Sequence, residues 1–122
     1  MMHRGALAAV ALVTVALTAC PRLPPPAPRP HVRLLGIERT GQVLTAHLRL
    51  GNAASLRPVA VDWALALGER DLLRGRAESL EIAIPLPPEV RPGALVRLRG
   101  AVHFDGDRGP AVAPFDEIAR VR

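Results

Sequence analysis

The sequence predicts an all-β domain: an antiparallel β-sandwich of about seven strands, of the immunoglobulin or fibronectin type III kind. Three observations carry that expectation. Apolar and polar residues alternate with period two over four separate segments between residues 43 and 104, the mark of strands with one buried face. Glycine, proline and asparagine punctuate those segments at short intervals, as turns between strands require. The stretch from residue 31 to residue 122 is long enough for seven short strands around one core.

The elements follow in order. Val32-Arg-Leu-Leu-Gly-Ile37 opens the domain, and Thr40-Gly41 separates the first two strands. In Val43–Leu50, Leu44, Ala46, Leu48 and Leu50 share one face, with Val43, Thr45, His47 and Arg49 on the other; Gly51-Asn52 closes the strand. In Val61–Leu67 the apolar face is Val61, Trp63, Leu65 and Leu67. Gly68 precedes a short Leu72-Leu73 segment that ends at Gly75. Leu80, Ile82, Ile84 and Leu86 then alternate with Glu81, Ala83 and Pro85. Pro85 has no N–H to give a central ladder, so it belongs at an edge or a strand end. After a loop bracketed by Pro87-Pro88 and Pro92-Gly93, Val96, Leu98, Val102 and Phe104 keep one parity. Gly100 among them marks a bulge or a close approach of two backbones. Asp105-Gly106-Asp107 lies between the last two strands, and only Asp71–Ser79 and Pro114–Arg122 have a pattern mixed enough to leave room for helix.

The N-terminus has a different character. His3 and Arg4 precede an uncharged run from Gly5 to Ala19, the anatomy of a secretory signal. That run is shorter than the roughly 20 residues a spanning helix needs. It ends in Leu17-Thr18-Ala19-Cys20, which resembles the lipobox of bacterial lipoproteins. The resemblance implies cleavage before Cys20, diacylglycerol on its thiol, usually a further acyl chain on the new amino group, and anchorage in the cell envelope. Two or three chains at about 0.8 kcal/mol per buried methylene hold a protein where one does not. Pro21 is not the aspartate that retains such proteins at the inner membrane, so the periplasmic face of the outer membrane is expected in a Gram-negative host. The expected organisation is a signal over 1–19, a lipidated cysteine and proline-rich tether over 20–30, and the sandwich over 31–122. Six of the ten residues from Pro21 to Pro30 are prolines, favouring polyproline II at about 3.1 Å per residue and a tether of roughly 30 Å.

Composition narrows the chemistry. The net charge is +5, and all sixteen basic residues are arginines. So basic a chain raises nucleic acid as a partner, but the arginines are scattered singly among acidic residues, and only Trp63, Phe104 and Phe115 offer a ring to stack on. No nucleic-acid partner is expected. The one cysteine is taken by the anchor, so stability must come from an apolar core rather than a disulfide. Ser55 and Ser79 are the only serines, and neither sits in the local setting of an activated nucleophile. His31, His47 and His103 are far apart in sequence. His47 and His103 are expected to point outward on strands that could be neighbours, as surface histidines and not as a metal site. Asp105-Gly-Asp107 lacks the later acidic ligands of a calcium loop, and a tight turn accounts for it. No catalytic residue, metal or cofactor is expected.

The order of these elements resembles the late embryogenesis abundant type 2 family, also called the water-stress and hypersensitive-response domain. The likeness rests on Val32–Ile37, on Leu48-Arg-Leu-Gly-Asn52 followed by Pro58, and on Val61-Asp-Trp-Ala-Leu-Ala-Leu-Gly68. It continues in the short strand ending at Gly75, in Leu98–Phe104 and in Pro114–Val121. Gly51-Asn52-Ala53 stands where the family often has Asn-Pro-Asn. The resemblance implies a seven-stranded sandwich without catalytic machinery, protective during drying or holding lipid between its sheets. The expectation is thus a lipid-anchored, non-enzymatic envelope protein, stress-protective or binding an apolar or lipid ligand. Its groove would be lined by Leu44, Leu48, Trp63, Leu65, Ile82, Leu98 and Val102. The alternative is an accessory lipoprotein docked on a larger envelope complex through its sheet edges.

Overall fold

The computed structural model describes residues 29–122; Leu17, Thr18, Ala19, Cys20 and the tether as far as residue 28 lie outside the described residues. Seven strands follow one another: β1 (His31–Thr40), β2 (Val43–Gly51), β3 (Leu56–Leu67), β4 (Arg70–Ala77), β5 (Glu81–Pro85), β6 (Leu95–Gly106) and β7 (Gly109–Arg120). They form two antiparallel sheets, ordered β1-β2-β5 and β4-β3-β6-β7. The sheets pack face to face as a β-sandwich.

The period-two faces lie as expected. Leu44, Ala46, Leu48, Val61, Trp63, Leu65, Ile82, Ile84, Val96, Leu98, Val102 and Phe104 point inward and are buried, and no polar or charged residue joins them among the described residues. Pro85 ends β5, an edge strand. Both stretches left open to helix are strand instead. In β7 the inward positions are Ala111, Ala113, Phe115, Glu117 and Ala119, an alternation masked by small side chains and an inward carboxylate. In β4 a register shift opposite Leu65 and Ala66 bulges out Leu72, so Leu72 and Leu73 are both half-buried.

Another irregularity closes one side of the sandwich. A bulge between Leu34 and Gly36 lets Val32 and Ile37, of opposite parity, both face the core. It turns Leu35 outward, where it is 59% exposed. Glu117 of β7 serves this bulge: its carboxylate accepts the Leu34 N–H and lies 3.2 Å from Arg33 Nε. Farther along, Arg39 N–H donates to the Arg122 carbonyl at 2.9 Å and Arg122 N–H to the Ile37 carbonyl at 3.0 Å. β1 and β7 are thereby joined, and among the described residues the outer edges of β4 and β5 carry no strand partner. Glu117→Ala should therefore lower stability by about 1–3 kcal/mol in urea denaturation, because it strips a charge-assisted bond from a part-buried N–H. Arg33→Ala, at a well-exposed side chain, should cost less than about 1 kcal/mol.

One row crosses the four-stranded sheet as Gly75, Trp63, Gly100 and Phe115. A methyl group on Gly75 would stand 2.6 Å from the Trp63 ring, so this glycine makes room for the indole. On Gly100 a methyl would overlap the main-chain oxygen of Asp62 and stand 3.0 Å from Trp63 Cα. The ladder runs through Gly100 without a register shift. Gly100 thus marks a close approach of β6 to β3, and not a bulge.

Candidate functional site

The hydrophobic residues expected to line a groove fill a closed interior. Leu44, Leu65, Ile82, Leu98 and Val102 have no exposed surface, while Leu48 and Trp63 retain 6% and 8%. The β1–β7 junction shuts one side, and Val90 from the loop after β5 joins the same core. The principal hollow lies outside the sandwich.

It is an open trough of about 890 Å³ on the outer face of β4-β3-β6-β7. Register builds it. Two neighbouring outward rows cross the sheet, Arg76–Asp62–Ala101–Pro114 and Arg74–Ala64–Arg99–Asp116. Ala64, Ala101 and Pro114, with the bare backbone of Gly75 and Gly100, make a low floor. Long charged side chains rise around it as two clusters of ion pairs. At one end the Asp62 carboxylate is 2.7 Å from His103 Nε2 and 3.7 Å from Arg76 Nη1. At the other, Arg99 Nη2 donates to both oxygens of Asp71 at 2.7 and 2.9 Å. Arg74 Nη2 stands 3.6 Å from that carboxylate. Beside them Arg97 grips Asp116 through two parallel bonds, 2.7 Å from Nε and 2.5 Å from Nη2.

That grip lowers the Asp116 carboxyl from its ordinary value, chiefly through the hydrogen bond from Arg97, and raises the Arg97 guanidinium by the same bond. A depressed carboxylate supports the fold above its unfolded pKa, and the support is lost as pH falls through the folded value. The pair is solvent-exposed, so salt screens it.

Carboxylates and guanidiniums line the trough, the His103 imidazole stands beside it against Asp62, and among the described residues neither hydroxyl nor thiol lines it. Ser79 is elsewhere, its Oγ accepting the Glu81 N–H at 3.1 Å in the turn before β5. His47 and His103 are not neighbours: β2 and β6 belong to different sheets, and His47 Nδ1 lies 3.3 Å from Glu81. Outward parity was readable for both, whereas sheet membership depends on pairings distant in sequence. Among the described residues no three His, Cys, Asp or Glu side chains are grouped to hold a metal ion.

No protein-family model, curated protein or solved structure matches this chain. The site's own features must carry its reading. On the same outer face Leu95, Val112 and Ile118 are each more than half exposed, at positions paired with Arg120, His103 and Arg97. This face therefore joins exposed aliphatic side chains, a small-residue floor and prearranged charges of both signs. Sequence reasoning passed over it. The available signal was Ala64 and Ala66 at outward positions, where an exposed strand face usually carries longer polar groups.

Proposed function

We propose that the protein is a non-enzymatic, lipid-anchored lipoprotein of the cell envelope whose sandwich works as a binding module through the outer face of its four-stranded sheet. The trough carries this reading. Its floor offers apolar contact, and its flanking pairs can exchange partners with charges on an incoming polypeptide, the mix of contacts found where proteins dock. The resemblance to the late embryogenesis abundant type 2 family supports a holding or protective role for the same surface.

The outer face is a better docking surface than the free edges. β5 has five residues and ends in Pro85, while β4 is bulged at Leu72 and carries Arg70, Arg74 and Arg76. Short length, proline, bulges and charge all discourage strand addition.

Ala101→Arg would fill the floor while leaving the core untouched. In-cell crosslinking of the full chain is expected to give a stoichiometric protein adduct that this variant loses at unchanged melting temperature. Recovery of the same adduct with the trough filled would overturn the reading. Anchorage has its own test. Cys20→Ser should leave an uncleaved, unacylated precursor, read by mass spectrometry; processing before residue 20 in that variant would refute it.

A further inference from the structure

A second hollow, about 450 Å³, lies at the start of β1 on the outer face of the three-stranded sheet. Its walls include His31, Arg33, Leu35, Arg49 and Leu50. Arg33 and Arg49 are direct cross-strand partners, an arrangement of like charges that costs a sheet stability unless an anion relieves it. Arg33 reaches Glu117 at 3.2 Å. Arg49 has no ion-pair partner among the described residues. The His31 ring packs directly over Gly51, where any side chain would collide with it. Leu35, turned out by the β1 bulge, adds an exposed aliphatic rim, and exposed Arg29 lies two residues before His31.

We propose that this hollow docks on the phosphates of an anionic phospholipid bilayer, the bilayer that holds the anchor; the inference rests on the lipoprotein reading. The chemistry matches at each point. Guanidinium forks suit phosphate oxygens, and an aliphatic rim beside them suits the boundary between headgroup and acyl chain. Position matches as well. The hollow opens where the chain enters β1, eleven residues after Cys20 (31 − 20). Eleven residues of chain, at no more than about 3.6 Å each, keep it within roughly 40 Å of the anchor. So short a link holds the site at high effective concentration over the membrane. Docking there would lay the three-stranded sheet against the bilayer and leave the trough, on the opposite outer face, turned to the periplasm.

The test uses the full mature lipoprotein, its acylation first verified by mass, so that failure of the anchor and failure of the site are told apart. With Cys20 acylated, Ala83→Cys, exposed on the same sheet face but outside the hollow, provides the one free thiol for a fluorophore. The protein is reconstituted into vesicles whose lipids carry a nitroxide quencher at headgroup depth. Strong quenching is expected in phosphatidylglycerol vesicles at low salt, with little in phosphatidylcholine alone. Each arginine near an anionic surface favours binding about fivefold, so adding Arg33→Gln and Arg49→Gln together should cut the docked-to-free ratio more than tenfold. Arg49→Gln alone, at an exposed unpaired side chain, should cut it about fivefold without lowering the melting temperature, because it removes one of two opposed like charges. Equal quenching in both lipids, or unchanged quenching in the double variant, would overturn the proposal. Saturable binding of inorganic phosphate without lipid-dependent quenching would do the same, assigning the site to a free anion.

Discussion

Ile82→Asp is expected to abolish the folded state, whereas Ala83→Asp, one residue along the same strand, should leave it intact. Ile82 has no exposed surface and belongs to the central cluster. Burying an unpaired carboxylate there costs several kcal/mol beyond the lost packing, against a total stability of about 5–15 kcal/mol for a typical domain. Ala83 is exposed on the outer face opposite Thr45, so its carboxylate stays hydrated and should cost less than about 1 kcal/mol. Circular dichroism and urea denaturation of the pair decide it. Equal damage from both would mean that β5 does not present alternate faces to core and solvent.

Gly100→Ala should be nearly as severe, with a sign that strand propensity alone would get wrong. In an ordinary strand interior, alanine is preferred to glycine by roughly 0.5–1 kcal/mol. At Gly100 the added methyl meets the Asp62 carbonyl oxygen and Trp63 Cα. Both belong to the backbone of a central strand paired on either side. Neither can rotate away as a side chain would, so β3 and β6 must separate and their ladder must weaken. The expected loss is about 2–4 kcal/mol, a fall in melting temperature of roughly 10–25 °C for a domain of this size. Gly36→Ala is the control. Nothing lies within 4 Å of a methyl group there, and that variant should melt within a few degrees of the parent. A Gly100→Ala protein melting beside it would show that the two strands are not so closely apposed.

Much of the fold is legible in single residues. Leu44, Leu48, Ile82 and Leu98 declared their faces because a strand's side chains alternate by backbone geometry, with no reference to distant residues. Pro85 declared a strand end because it has no N–H to share. The legible part stops where pairing begins. Glu117 looked like a break in a pattern, yet it is an inward carboxylate that serves a backbone donor on β1. Leu35 and Leu72 lie at bulges, where an extra residue shifts parity at a place that local alternation does not foretell. His47 and His103 were both correctly outward, but on different sheets.

The candidate sites belong to that second category. Asp62, Arg76 and His103 come together only because β4, β3 and β6 lie side by side in one register. Arg33 and Arg49 oppose each other only because β1 folds back on β2. By itself the sequence determined the period-two strands β2, β3, β5 and β6, their inward faces and the apolar identity of the core, because those follow from period-two geometry and local turn chemistry. Tertiary structure alone decided that the core is closed, that the hollows lie on the outer faces, and which charges meet there. Cross-strand register joins residues dozens of positions apart, and a shift of one residue would send every side chain to the opposite face.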